Sequence, residues 1–190
     1  NLCLDYLTEL DSADIHRLCA QQYDGAINMT DQIAALNCII NGSSPERTKY
    51  VDAFYRQWEK DALVIDKWFA LQSMSPVSGN IARILNLKEH PAFDLHNPNR
   101  VRSLVAAFAQ ANPVCFHACD GSGYVFLADI VIELNAINPQ VASRMMGGFT
   151  QWRRYDEGRQ RLMKGQVSRI LSTDKLSTDV YEIARKTIDH

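Results

Sequence analysis

The sequence predicts an all-α protein, an irregular superhelix (solenoid) of antiparallel helical pairs. Only nine glycines interrupt 190 residues, and strict period-2 alternation of apolar and polar residues is absent over any useful length. Apolar residues recur instead at i, i+3, i+4 and i+7, the spacing that lines one face of a helix. Three Asn-Pro pairs punctuate the second half, at Asn97-Pro98, Asn112-Pro113 and Asn138-Pro139. The first and third lie 41 residues apart, with about one helical hairpin between them, close to the roughly 40–47 residues of HEAT or armadillo units. Stacked pairs of that kind bury a continuous core and leave one concave face.

The segment 44–60 carries helix-start signals, with Ser44 as cap, Pro45 in the first helical position and Glu46 in the first turn. Val51, Phe54, Tyr55 and Trp58 then form one stripe. The next run, ALVIDKWFALQSM, keeps helical spacing through Leu63, Trp68, Leu71 and Met74. It stops at Ser75-Pro76, because a residue before proline is pushed out of the helical region. Each Asn-Pro pair predicts a helix start, since Asn caps well and Pro needs no amide hydrogen in the first turn. Val101, Leu104, Val105 and Phe108 make the stripe after Asn97. After Asn138 come Val141, Met145 and Trp152, with Gly147-Gly148 permitting close approach of a neighbour. From Asp156 onward two amphipathic helices follow, the second capped by Ser177 and running through Val180, Ile183, Ala184 and Ile188. Residues 1–190 read as a single helical domain of about ten to twelve helices joined by short loops.

Composition narrows the function classes. A formal net charge of −2 argues against nucleic acid or an anionic membrane as partner, because such surfaces need a clear cationic excess. No apolar run approaches the roughly 20 residues of a membrane span; stretches 63–71 and 125–134 are interrupted by Asp66, Lys67, Asp129 and Glu133. The N-terminus opens NLCLDYLTELD, without a basic leader or an initiator Met, as a piece of a longer polypeptide would. Five cysteines, none in a CxxC pair, fit reduced thiols and a cytoplasmic setting.

Three patterns invite a chemical reading. Cys115, His117 and Cys119 could suggest a metal site. On a helix, however, the two thiols share a face and the imidazole points to the other side, and no fourth ligand follows. Asp120-Gly121-Ser122-Gly123-Tyr124 could offer backbone amides to an anion. It lacks a preceding strand and a Lys-Ser/Thr, so a cap by Asp120 or Ser122 on the helix 124–134 is the better reading. Arg102, Gln140 and Arg144 stand near helix starts, with Gln140 and Arg144 at i, i+4 sharing a face with Gly147, and Arg102 sharing one with Ala106 and Ala109. They serve either interhelical ion pairs or a cavity. Arg153 and Arg154 read as a solvated helix end. The five histidines (His16, His90, His96, His117 and His190) are scattered. HExxH, GxSxG, Walker and GxGxxG motifs are all absent from the sequence. No catalytic residue is therefore assigned.

Several strings resemble the C-terminal region of bacterial aminopeptidase N. They are Asn28-Met29-Thr30-Asp31, Val64-x-Asp66-Lys67-Trp68-Phe69, His96-Asn97-Pro98-Asn99-Arg100-x-Arg102, Asn112-Pro113-x-x-Phe116-His117-Ala118, Asp120-Gly121-Ser122-Gly123-Tyr124 and Asn138-Pro139-Gln140-Val141-Ala142-Ser143-Arg144. The resemblance implies a helical domain that closes over the catalytic domain of the same polypeptide. The parent would be a zinc metallopeptidase that removes N-terminal residues from short peptides. Its zinc and the HExxH helix would lie outside this chain, which itself would bind no cofactor. The resemblance further implies that Arg102, Arg144 and Gln140 face the cavity and bind the peptide on its C-terminal side. It departs at Cys115, Cys119 and Gly147-Gly148, and thins beyond Lys164. A different class of function consistent with the fold is a stand-alone adaptor whose concave face binds a protein segment.

Overall fold

The computed structural model describes residues 1–189; His190, one of the five histidines, lies outside the described residues. Every regular element among them is helical, as the sequence predicts. The chain forms two compact units, Asn1–Val77 and Ser78–His190.

The first unit holds α1 (Leu2–Thr8), α2 (Ala13–Gly25), α3 (Met29–Asn41), α4 (Arg47–Trp58) and α5 (Ala62–Met74). Side-chain oxygens start three of them: Ser12 accepts from the Ile15 amide, Asn28 from Asp31, and Asp61 from Leu63 and Val64. These bonds satisfy amides that have no partner within the helix. α3 is the centre of the unit and packs on α2, α4 and α1. Leu36 and Ile40 of α3 meet a core completed by Phe54, Ile65 and Phe69, all fully buried. The Trp68 indole is buried with its N–H donated to the Val51 carbonyl at 2.9 Å.

Two details differ from the sequence reading. Pro45 and Glu46 form a turn closed by Arg47 N–H on the Ser44 carbonyl at 3.2 Å, and α4 begins only at Arg47. In α5, Leu63 (70% exposed) and Met74 (37%) lie outside the buried stripe, which runs through Val64, Ile65, Trp68, Phe69 and Leu71. That helix is apolar on most sides, so spacing alone could not choose the buried face. It ends at Ser75, before Pro76.

The second unit holds α6 (Asn80–Lys88), then a helix wound in three parts: α7 (Pro98–Val101), a π turn (Arg102–Ala106) and α8 (Ala107–Ala111). There follow α9 (Pro113–Phe116), α10 (Ser122–Ile137), α11 (Pro139–Met145), 3₁₀ turns at Met146–Phe149 and Trp152–Arg154, α12 (Glu157–Leu171) and α13 (Thr178–Asp189). All three Asn-Pro pairs start helices as expected. Asn97 accepts from Asn99 and Arg100, Asn112 from Cys115, and Asn138 from Val141. Ser177 accepts from Val180 at the start of α13. α10 forms the core, packing on α11, α12 and α9. Its Tyr124, Leu127, Ile130, Val131 and Leu134 have no exposed surface. Neighbours in sequence pair in space, α10 with α11 and α12 with α13.

Candidate functional site

The second unit carries all three sequence-predicted site residues. Asn138 and Pro139 start α11, and one turn separates Gln140 from Arg144 on its surface. Both are exposed, while Val141, Ala142 and Met145 on the same helix are buried. This division leaves the amide and the guanidinium on one side of a helix whose other side is fixed by packing. Arg102 is also exposed and opens the π turn of the 98–111 helix. There the Ala107 amide reaches back to the Arg102 carbonyl, an i→i+5 bond.

The π turn changes the register that α spacing implies. Arg102, Ala106 and Ala109 do not form a simple α-helical stripe, because each i→i+5 step carries one more residue than an α turn. Val101, Leu104, Val105 and Phe108 nevertheless stay buried on both sides of the turn. Nothing in the residue types of Arg102–Ala106 announces a π turn, and the sequence reading missed it. Such turns occur mostly as single-turn bulges in α-helices and frequently at functional sites.

The glycine pair ties the two arginine-bearing segments together. A Cβ on Gly148 would stand 3.4 Å from the Ala109 Cβ, 3.3 Å from the Phe116 ring and 2.6 Å from Leu127 Cδ2. One on Gly147 would stand 3.9 Å from the Gln110 amide nitrogen. The close approach expected at Gly147-Gly148 is thus present. Neither guanidinium has a carboxylate partner among the described residues, whereas Lys88–Glu133, Arg169–Asp129 and Arg159–Asp156 are paired at 2.8, 2.6 and 2.6 Å. The interhelical ion pairs that the sequence left open for Arg102 and Arg144 are not made there.

Behind this surface lies an aromatic cluster. Phe116 meets Phe108 edge-on at 5.7 Å and Tyr124 at 5.3 Å. Gly123 makes that proximity possible: a Cβ there would fall 2.4 Å from the Phe116 carbonyl oxygen. Gly121 takes a left-handed conformation (φ 72°) to enter α10. Asp120 accepts from the amide and hydroxyl of Ser122 at 3.0 and 2.8 Å, but the cap position of α10 is Gly121 with no side-chain bond, so neither Asp120 nor Ser122 is the cap that the sequence predicts. His117 stacks on Tyr155 at 4.0 Å, shares a 2.8 Å hydrogen bond with the Tyr124 hydroxyl, and receives the Arg159 Nε–H on its carbonyl at 2.6 Å. Burial, with the Arg159 charge second, holds the imidazole below its ordinary pKa. Burial pushes the Tyr124 phenol up to about 12.

The segment 115–119 is not one helix. α9 ends at Phe116, His117 follows it, and a turn carries Cys119 to the surface while Cys115 is buried. The shared helical face expected for the two thiols is therefore not formed. Among the described residues no group of three His, Cys, Asp or Glu side chains could hold a metal ion, and none of their helices is long and apolar enough to cross a membrane.

Comparison with known proteins places these features in a lineage. A family model described as "Domain of unknown function (DUF3458_C) ARM repeats" matches residues 1–189. Aminopeptidase N of Escherichia coli is 40% identical over 190 residues, 99% of this chain and 22% of that protein. Aminopeptidase N of Haemophilus influenzae is 41% identical over 188 residues, 99% of this chain and 21% of its own length. The crystal structure of Legionella pneumophila aminopeptidase A in complex with aspartic acid superposes with a TM-score of 0.93 at 32% identity, covering 98% of this chain and 22% of that one. The chain spans about a fifth of the length of the curated relatives it matches. The similarity runs through the tail beyond Lys164, which the sequence strings matched only loosely.

Proposed function

Because the chain belongs to this family of ARM-repeat domains (DUF3458_C), we propose that it is the C-terminal helical domain of a cytoplasmic zinc aminopeptidase. It closes over the catalytic domain of the same polypeptide and helps to bind short peptides. The zinc ion and the catalytic residues belong to that other domain. The observation that carries the reading is the pair of exposed, carboxylate-free arginines on two helices that meet at Gly148 and Ala109.

Each guanidinium offers a planar fork of donors that fits a carboxylate or a peptide carbonyl. Held on helices with buried opposite faces, the forks have fixed backbone anchors, so binding has to order the side chains alone. Gln140, one turn from Arg144, adds a donor and an acceptor for peptide amides. The domain thus contributes affinity for the C-terminal side of a peptide and no bond-breaking step.

The test uses the full-length aminopeptidase that carries this domain. Arg102→Ala or Arg144→Ala should lower kcat/KM for tri- and tetrapeptides on the order of tenfold, the scale of one lost charge-assisted bond, and leave single-residue anilides nearly unaffected. Equal losses on both substrate types would remove the carboxylate-side role. Both arginines are exposed, so neither substitution should shift stability by more than about 0.5 kcal/mol. The 190-residue chain alone should hold no stoichiometric zinc and should leave an alanyl anilide intact.

A further inference from the structure

The Trp152–Arg154 turn and α13 enclose a second feature that the peptide-binding reading does not use. A groove of about 490 Å³ lies between them, within the range of small-molecule sites. Gln151, Arg153, Arg154, Ile183, Lys186 and Thr187 are among the residues that line it. Among the described residues that line it, three are cations and none is a carboxylate. Of the nearby acids, Asp156 holds Arg159 at 2.6 Å and Asp189 lies 3.7 Å from Arg185, while Glu182 and Asp189 line an adjoining pocket that Lys186 also borders. Arg154 and Lys186 have no partner among the described residues. Arg153 is held in place, stacked 4.2 Å over the Trp152 ring with one N–H donated to the Ile188 carbonyl at 3.4 Å.

The C-terminal end of α13 carries a negative dipole equivalent to about half a charge, and cations beside it need no ligand to be favourable. The three cations among its lining residues exceed that half charge, so the lining itself is net positive. The lining is partly hydrocarbon, which inorganic anions do not use.

We propose that this groove binds an organic carboxylate borne on a short hydrocarbon stem. Arg154 and Arg153 engage the carboxylate oxygens, Lys186 supplies a second positive charge, and the stem lies on Ile183 and the Thr187 methyl. Two sources share that chemistry, a free dicarboxylic acid and the acidic side chain of a peptide. Neither depends on Arg102, Gln140 or Arg144.

The groove has a built-in reporter, because the buried Trp152 indole N–H is donated at 2.6 Å to the carbonyl of Thr187, one of its lining residues. The experiment titrates the 190-residue chain with glutarate, an N-acetylated tri-glutamate amide and inorganic phosphate, at low salt. It follows the Trp152 indole resonance by NMR and the heat by calorimetry. Saturable binding of glutarate or the peptide, weakened on the order of tenfold by Lys186→Gln and further by Arg154→Glu, is the expected result. The tighter of the two ligands identifies the source. Phosphate binding as tightly as glutarate would overturn the proposal, as would no saturable binding or binding indifferent to both substitutions. Both altered side chains are exposed, and the unchanged far-ultraviolet circular dichroism of either variant suffices to keep the comparison valid.

Discussion

Replacing Gly123 by Ala places a methyl group where a carbonyl oxygen already sits. The added Cβ would lie 2.4 Å from the Phe116 oxygen, 2.9 Å from its Cα and 3.0 Å from its carbonyl carbon. Ordinary contact begins near 3.4 Å, so α9 and α10 must separate by about 1 Å. All three obstructing atoms are backbone, and no side-chain rotation relieves them. Overpacking of this kind costs about 1–3 kcal/mol. A gap of that width also forfeits a quarter to a half of the dispersion contacts along the seam, which places the loss near 3 kcal/mol. Alanine's better helix propensity returns up to about 1 kcal/mol. The net of about 2 kcal/mol corresponds to a Tm lower by roughly 4–8 °C for a chain of this size. Thermal unfolding followed by circular dichroism reads it. Gly165→Ala is the matched control, since nothing lies within 4 Å of its Cβ position on α12; it should raise Tm by up to about 4 °C. A Gly123→Ala protein that melts with the parent would refute the argument that backbone proximity fixes this seam.

Two further outcomes follow from the titratable groups. The folded state binds a proton at His117 less readily than the unfolded chain, whose imidazole titrates near 6.5. Its contribution to stability is therefore fully present above pH 6.5 and is lost as pH falls from there through the lower folded value. The acid-side fall in Tm should be shallower in His117→Gln, and an identical slope would exclude the imidazole as its source. For the thiols, Cys3 and Cys119 are exposed while Cys19, Cys38 and Cys115 are buried; burial pushes Cys38 up to about 12 and Cys19 up as well. A disulfide reagent at pH 8 should consume two thiols quickly and the other three only on unfolding. Rapid reaction of more than two would contradict either the packing of α2 on α3 that buries Cys19 and Cys38 or the burial of Cys115 on α9.

Much of this architecture was legible in the sequence because its strongest signals are local. An Asn followed by Pro specifies a helix start through one side-chain acceptor and one missing donor, and all three such pairs behaved that way. The Val101, Leu104, Val105, Phe108 stripe was equally local. What could not be read depended on neighbours. α5 is apolar nearly all round, so Leu63 could be excluded from its buried face only by knowing what packs there. The π turn at Arg102 and the end of α9 at Phe116 carry no signal in residue type; the first packs against α6 and the second against α10. The candidate site was legible as residue names through the family resemblance. Its geometry, two helices meeting at Gly148 and Ala109, was not.

The π turn has a consequence for how Arg102 is held. Buried residues upstream and downstream keep their places, so the extra residue of the wide turn is absorbed within Arg102–Ala106. The helix behaves there as a rod with a slack link. Removing one residue such as Ser103 would shorten the link without moving either anchored end. Arg102 follows the anchored Val101 directly, so it would keep its direction apart from the small difference in rotation per residue between the two windings. The guanidinium takes its aim from the upstream anchor, and the extra residue is carried downstream of it. A lineage could drop that residue by a single-codon deletion while both anchored ends stayed in place.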